Sequence, residues 1–240
     1  MTRDFADLHL RVNPKDQKSS NQFIERAARF GYRFISIPFT SGLQEDEVTG
    51  LKAKCTKAGI DFATRVDFHP RTENDLTHFL RKFRRRFEVL CISCDNKEVS
   101  RQAAKDRRVD MLSFPNLDYH RRFFDRAEAE LASGGLAALE VDIKPLLILD
   151  GPSRVRLLMS LRREVAIARE FKIPLVVSSG VAEEKFMRFP RDMASLSYLF
   201  GLDEASALDA VSTYPVAIVK RNREKLGKRF VAPGINVVKE

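Results

Sequence analysis

Short apolar runs recur along the chain at roughly even intervals, and each is separated from the next by a stretch with helical spacing. The seven runs are residues 5–10, 34–39, 62–68, 89–94, 109–114, 137–143 and 173–177. Apolar runs of this length, bounded by segments of a different period, are typical of buried strands. The pattern therefore predicts strands that alternate with helices.

Two of the intervening stretches carry clear helix signals. The first begins at Thr72 with Asp75 three residues later, a capping pattern, and it places Phe79, Leu80 and Phe83 on one face. The second is predicted to begin at Ser153, after residues 150–152. Its apolar face is predicted to contain Val155, Leu158, Leu161, Val165 and Ala168.

Strands that alternate with helices favour a parallel sheet, because a parallel return needs a long crossover connection. The sequence predicts an α/β fold, a TIM-like distorted (β/α) barrel of about seven parallel strands. Residues 182–228 have helical spacing only and predict extra C-terminal helices, whereas 230–238 fit either a short strand or an extended tail. No linker of Pro, Gly or Ser composition interrupts the repeat, so we expect residues 1–240 to form a single barrel domain.

Composition narrows the class of protein. Hydrophobic residues make up 44% and charged residues 31%, which suits a globular chain and excludes collagen-like or disordered classes. No apolar run is long enough to span a bilayer, and the amino terminus lacks the apolar stretch of a signal peptide. Three cysteines do not form a disulfide framework. We expect a cytoplasmic protein without a membrane partner.

The net charge of +9 favours a polyanionic partner, and two basic clusters show where it could bind. Residues 81–86 contain five cations in six positions, and residues 220–229 contain six cations. Each cluster could be only a solvated face, or it could contact nucleic-acid phosphates, which need positioned Lys and Arg rather than a base-reading motif.

Polar residues lie at the predicted carboxyl ends of the strands, where barrel enzymes carry their chemistry. Asp7 and His9 point to the same face of an alternating strand, where they could hold a metal or phosphate or could satisfy each other. Of the other histidines, His69 follows a strand, whereas His78 and His120 are predicted on helices. Residues 178–180, Ser-Ser-Gly, fit either an anion cradle or a simple turn.

Several segments together resemble one family, the archaeal ribonuclease P protein component 3, homologous to the thirty-kilodalton subunit of eukaryotic ribonucleases P and MRP. The segments are FADLHLR (5–11), DMLSFP (110–115), LEVDI (139–143), VVSSG (176–180), RFPRD (188–192), VSTYP (211–215) and RNREK (221–225). Their order and spacing make the match more specific than any single motif.

The resemblance implies a barrel related to the polymerase-and-histidinol-phosphatase (PHP) phosphoesterases. It also implies a role in removing the 5′ leader of precursor tRNA, where the RNA subunit supplies catalysis with Mg²⁺. The implied partners are the ribonuclease P RNA, protein component 2 and other protein subunits, and precursor tRNA within the holoenzyme. The chain itself is expected to have no cofactor.

The PHP comparison also implies that the hydrolytic centre has been lost. PHP enzymes begin with His-x-His, whereas this chain has Arg11 two residues after His9, and an arginine repels a metal cation. Asp192 stands where such enzymes place Asp-x-His, but residue 194 is Ala. We therefore expect no catalytic or metal residues. Instead we expect a polar network at the barrel mouth, formed by Asp7, His9, His69 and Asp192.

The expected RNA contacts combine the basic clusters with the cations and serines of the barrel mouth. They are Arg11, Arg65, Arg81, Arg84, Arg85, Arg86, Ser178, Ser179, Arg188, Arg191, Arg221 and Lys225.

Two alternative functions stay open at this point. One is a PHP-like phosphoesterase that uses Asp7, His9, His69 and Asp192 to bind Mn²⁺ or Zn²⁺. The other is an unrelated barrel enzyme that binds a phosphorylated metabolite through residues 178–180.

Overall fold

Seven strands are joined by helices in a computed structural model, which describes residues 3–39, 45–117, 122–227, 229–232 and 235–236. Among these residues, each connection has one helix except the last, between the sixth and seventh strands, which has two. The strands are β1 (Phe5–Asp7), β2 (Tyr32–Phe39), β3 (Asp61–Phe68), β4 (Val89–Ser93), β5 (Met111–Ser113), β6 (Ala138–Asp142) and β7 (Leu175–Ser178). The helices are α1 (Gln17–Phe30), α2 (Glu45–Lys57), α3 (Glu73–Phe83), α4 (Lys97–Lys105), α5 (Arg126–Ser133), α6 (Lys144–Ile148) and α7 (Gly151–Glu170). All seven predicted strands are confirmed.

The strands form one sheet in chain order, and each pairs with the next in parallel. The two edge strands approach each other just beyond their ends. There Leu10 and Val181 form a parallel bridge, and the Gly180 N–H donates to the His9 carbonyl at 3.0 Å. The sheet is therefore a nearly closed barrel, which confirms the predicted fold class.

The α3 helix follows its predicted pattern. The Thr72 hydroxyl accepts a hydrogen bond from the Asp75 N–H while the Asp75 carboxylate accepts from the Thr72 N–H, which completes a capping box. Its apolar face packs on the sheet, where Phe79 stacks on Phe68 with ring centroids 3.8 Å apart.

The α7 helix differs from the prediction in two respects. It begins at Gly151, two residues before the predicted start, and Val155 is 56% exposed rather than buried. The buried face of α7 runs through Leu157, Leu161 and Val165. Because two residues advance about 200° around a helix, Val155 lies nearly opposite Leu157.

Three helices follow β7, as predicted, namely α8 (Pro190–Ser197), α9 (Glu204–Ala210) and α10 (Thr213–Leu226). Two short strands, β8 (Phe230–Ala232) and β9 (Ile235–Asn236), then pair antiparallel, so the last run is neither a single strand nor a tail. The apolar side chains Val216 and Val219 of α10 join Ala6, Leu8 and other interior residues in a separate core. Thus α10 covers the amino-terminal end of the barrel, and the carboxyl end forms its mouth.

Two smaller expectations concern cysteines and membranes. All three cysteines are buried free thiols. Among the described residues, no helix combines the length and the apolar character needed to cross a membrane.

Candidate functional site at the barrel mouth and a basic groove at the opposite end

A fully buried arginine occupies the centre of the barrel. Arg65 in β3 is 0% exposed, and its guanidinium makes two parallel bonds to Glu140 of β6, at 2.6 and 2.7 Å. Its Nε donates to Asp67 at 2.6 Å, and one terminal nitrogen also donates to the Leu8 carbonyl at 2.8 Å. This bidentate pair links strands from opposite sides of the barrel.

The partner of this arginine, Glu140, is itself fully enclosed. Its carboxylate also accepts hydrogen bonds from the Ser178 hydroxyl at 2.7 Å and the Cys91 thiol at 3.3 Å. Burial opposes ionisation, but the charge and hydrogen bonds of Arg65 outweigh it and hold the pKa of Glu140 below its ordinary value. Glu140 is therefore a carboxylate at neutral pH, matched to a buried cation.

His9 joins two further carboxylates at the mouth. Its Nδ1 lies 2.9 Å from Asp142 Oδ1, and its Nε2 lies 3.0 Å from Asp67 Oδ2. Burial and the nearby Arg65 both oppose protonation, but the charges of Asp142 and Asp67 prevail and raise the pKa of His9 to about 10. At neutral pH the ring is an imidazolium with both nitrogens protonated.

Asp7 accepts hydrogen bonds from two backbone N–H groups. Its Oδ1 accepts the backbone N–H groups of His9 at 3.2 Å and of Ser179 at 3.0 Å. Burial raises the pKa of the Asp7 carboxyl. The neighbouring cation Arg11 is exposed. Asp7 therefore connects β1 to the segment after β7, at the seam that closes the barrel.

The Ser-Ser-Gly segment ends β7 and leads into the bridge at Val181, and its two serines face the barrel interior. Ser178 and Ser179 are buried, and their hydroxyls donate to Glu140 and to the His9 carbonyl. Gly180 has a φ of 64°, and a Cβ there would lie 2.5 Å from Asp142 Cγ. Gly180 thus packs against a carboxylate, and the two buried serines are not accessible as the predicted RNA contacts.

The geometry of a metal site is present, but its chemistry does not suit a cation. Ligand atoms of His9, Glu140 and Asp142 lie within 4.8 Å of one another. The Glu140 oxygens already bind a guanidinium, and the two ring nitrogens of His9 already lie against Asp142 and Asp67. Arg65 would also repel any metal ion placed beside it.

Of the four residues expected in the mouth network, two face the barrel interior and two are exposed. His69 is 58% exposed on the rim, where its Nδ1 lies 3.0 Å from Asp95. Asp192 is exposed in the first turn of α8. Asp7 and His9 are the two that enter the interior, so the PHP-like alternative does not have its four ligands in one place.

The network expected from the sequence left out the three carboxylates that complete the cluster. Arg65 and Asp67 stand two residues apart in an apolar strand, and so do Glu140 and Asp142. A spacing of two puts both side chains on one face of a strand, as it does for Asp7 and His9. Charged pairs at this spacing in three buried strands were the available signal.

A basic groove of about 490 Å³ lies at the opposite end of the barrel. It is bordered by the loops that enter β4 and β5, by the end of α10 and by β8. Its cationic side chains are Arg84, Arg85, Arg107, Arg108 and Lys225. The two basic clusters of the sequence thus meet in space, and the pair 107–108, which sequence reasoning missed, lies between them.

Only part of this positive charge is neutralised. Arg84 and Arg221 share Asp110, at 2.5 and 3.0 Å, and Arg108 pairs with Asp106. Within the described part of the chain, Arg85 and Arg107 form no ion pair. Burial and neighbouring cations, Arg221 first among them, lower the pKa of Lys225. Burial is the largest cause of this lowered pKa, and the crowding of cations adds to it.

The remaining predicted RNA contacts are spread over the molecule. Arg81 and Arg86 are exposed beside the groove segment, Arg11 is exposed at the mouth, and Arg191 is exposed on α8. Arg188 is half-buried and donates to the carbonyls of Lys185 and Met187. Arg65 is not an RNA contact, because its side chain has no exposed surface and three protein partners and so is not accessible to a phosphate.

The sequence of the chain is similar to that of a known protein family. A sequence profile of the family described as RNase P subunit p30 matches residues 4–226. The chain belongs to the RNase P subunit p30 family. It is 35% identical to the "Ribonuclease P protein component 3" of Methanosarcina barkeri over 98% of this chain and 96% of that protein. The protein of the same name from Methanosarcina mazei is 30% identical, with the same shares covered.

A solved structure supports the fold of this RNase P subunit p30 family member. One chain of the cryo-EM structure of archaeal ribonuclease P with mature tRNA superposes with a TM-score of 0.84. The two chains are 22% identical, and 98% of each is covered. The resemblance seen in the sequence motifs is therefore confirmed, both as a family and as a barrel.

Proposed function

We propose that this chain works as a protein subunit of ribonuclease P, and that it supports the catalytic RNA in the endonucleolytic removal of the 5′ leader from precursor tRNA. Its family and its relatives, named Ribonuclease P protein component 3, support this role. The observation that carries it is the basic groove, where cations from three distant segments converge at one end of the barrel.

The groove suits a phosphate backbone better than a small molecule. Its floor carries arginines from two adjacent strand-entry loops, and arginine binds phosphate oxygens in a bidentate way. Apart from Asn222, the uncharged lining residues are apolar or glycine, and they offer little to read base edges. Binding through phosphates alone should depend steeply on salt and weakly on sequence.

The barrel mouth contributes stability in this proposal, and the chain has no catalytic residue, metal or cofactor of its own. The ion pairs of Arg65 and His9 occupy the carboxylates that a hydrolytic centre would need. Mg²⁺ acts with the RNA subunit. The proposed partners are the ribonuclease P RNA, component 2 and the other protein subunits. Precursor tRNA binds to the complete holoenzyme, in the cytoplasm.

The test removes three groove cations that form no ion pair with any residue the structure describes, and it includes a matched control. One chain carries Arg85→Ala, Arg107→Ala and Lys225→Ala. The control carries Lys15→Ala, Lys18→Ala and Lys52→Ala, which remove the same charge from exposed positions elsewhere. Affinity for the ribonuclease P RNA is measured across a salt series, and cleavage of precursor tRNA is measured in the reconstituted complex.

We expect the groove variant to bind RNA more weakly. Its plot of log affinity against log salt should be less steep by about 2 to 3 in slope, since each phosphate contact contributes about 0.7 to 0.9. The control should keep the parental slope and cleavage. Equal slopes for the two variants would show that the groove does not contact RNA. A parent chain that neither binds the RNA nor stimulates cleavage would contradict the subunit role itself.

A further inference from the structure

The outer face of α7 exposes apolar side chains in a way that the barrel does not need. Met159 is 65% exposed and Val155 is 56% exposed, one turn apart on the same face. Leu199 is also 45% exposed, and its carbonyl accepts a hydrogen bond from Arg162 of α7 at 2.8 Å. Scattered single apolar residues are ordinary on a surface, but a grouped set on one helix is typical of a binding face.

A shallow groove of about 390 Å³ lies along this face. It is lined by Arg156, Met159, Ser160 and Arg163, at helical spacings of three and four. Methionine is flexible and polarizable, and together with arginine it is enriched at protein interfaces. The groove therefore has the composition of an interface, with an apolar centre.

Arginines surround this apolar centre without acidic partners. Arg156 bonds to a hydroxyl, Arg162 bonds to a backbone carbonyl, and Arg163 has no ion pair within the described residues. The acidic residues in the middle and at the end of α7 are engaged elsewhere, since Glu164 pairs with Arg122 and Glu170 with Arg126. The face thus presents several positive charges around an apolar stripe.

This charge pattern selects among the possible occupants. A second copy of the chain would place arginines against arginines in a two-fold contact, which is repulsive. An RNA backbone would satisfy the arginines, but it would leave Val155 and Met159 facing phosphates. A protein surface with an apolar side chain between carboxylates satisfies both parts of the face.

We propose that this face of α7 docks a protein subunit of the same ribonucleoprotein, one that presents an apolar anchor flanked by Asp or Glu. This rests on the proposed function, because it takes the partner from the ribonuclease P assembly. Met159 is the central contact, and Arg156 and Arg163 set the charge of the partner.

The test replaces Met159 with lysine. In Met159→Lys the apolar anchor is lost while positive charge is gained, so a protein contact and an RNA contact respond in opposite directions. The control is Ala166→Lys, which adds the same residue at an exposed position two turns along the same helix. Each purified protein component of ribonuclease P is titrated against the full-length chains by calorimetry, and the ribonuclease P RNA is titrated in parallel. Arg163→Glu provides a second variant.

We expect one protein component to bind the parent and Ala166→Lys alike, and to bind Met159→Lys and Arg163→Glu at least about tenfold more weakly, as for a central interface residue. RNA affinity should not fall in Met159→Lys. The proposal is overturned if every protein component binds Met159→Lys as tightly as Ala166→Lys, or if RNA affinity rises with Met159→Lys while protein binding is unchanged. In either case RNA binding by the parent would leave the proposed function standing.

Discussion

Replacing the buried arginine of the barrel by an apolar residue of similar length is the most direct test of how the mouth is held together. In Arg65→Met, Glu140 keeps the hydroxyl of Ser178 but loses a bidentate cation, in a place with no solvent access. Asp67 keeps only the imidazolium of His9. The variant therefore leaves the buried Glu140 carboxylate without its bidentate partner, facing the more distant His9 imidazolium at 3.9 Å.

Removing one partner of a buried ion pair costs about 3 to 5 kcal/mol of unfolding free energy. In a domain of this size 1 kcal/mol moves the thermal midpoint by about 2 to 4 °C, so we expect a fall of about 6 to 20 °C near neutral pH. The deficit should shrink in acid. With Arg65 present the pKa of Glu140 is lowered, and its ionised form stabilises the fold above its unfolded pKa near 4.5. Without Arg65 burial raises that pKa, so protonation relieves the variant as the pH falls.

Urea unfolding followed by circular dichroism, at neutral and at mildly acidic pH, gives the two free energies. Two companion variants make the result specific. Arg65→Met with Glu140→Gln removes both charges and should recover more than half of the loss, because no lone buried charge is left. Arg29→Met makes the same change at an exposed position and should stay within about 0.5 kcal/mol of the parent.

Either of two results would refute the reasoning. An Arg65→Met chain as stable as the parent would mean that Glu140 loses little when its cation is removed. A double variant as unstable as the single one would mean that the loss comes from packing rather than from an unpaired carboxylate.

Three further predictions concern the same end of the barrel. The pKa of His9 rises from 6.5 to about 10 on folding, so its stabilisation is complete below pH 6.5 and is lost as the pH rises toward 10. His9→Gln should flatten the unfolding free energy of the parent across that window, as measured by urea titration, and a parallel decline in both chains would contradict the assignment. Burial raises the pKa of Asp7, so its charged form weakens the fold above that pKa. Asp7→Asn keeps an acceptor for the two N–H groups, so its free energy of unfolding at pH 7 should match or exceed that of the parent. Asp7→Ala has no such acceptor and should lose about 1 to 3 kcal/mol of unfolding free energy. Equal midpoints for Asn and Ala would argue against the seam role. Addition of Mn²⁺ or Zn²⁺ should leave the thermal midpoint of the parent unchanged, and mass spectrometry of the metal content should show less than one bound metal per chain; stoichiometric binding would restore the phosphoesterase alternative.

The local elements of this protein could be predicted from sequence because their signals are local. The period of apolar residues found all seven strands, and the capping residues Thr72 and Asp75 located the start of α3. Alternation of strand and helix then left few topologies other than a parallel barrel. In α7 the buried face runs through Leu157 rather than through Val155, so Val155 lies on the surface instead of in the predicted core.

The family motifs also lay in the sequence, but the meaning of single charged residues did not. Arg65 and Arg85 are alike as letters, yet one is enclosed by Glu140 and Asp67 and the other is exposed in a groove. Burial and partners decide whether an arginine stabilises the fold or is free to bind a phosphate. Both depend on residues far away in the chain.

What the sequence by itself determined is therefore the fold class, the element order, the family and the excess of positive charge. The tertiary structure decided which charges cancel: it brought β3 and β6 together around Arg65 and Glu140, which are 75 residues apart. It also brought the loop after α3 against the end of α10, so that two separate basic clusters became one groove. The physical reason is that charge interactions depend on distance and burial in space, which a one-dimensional pattern does not contain.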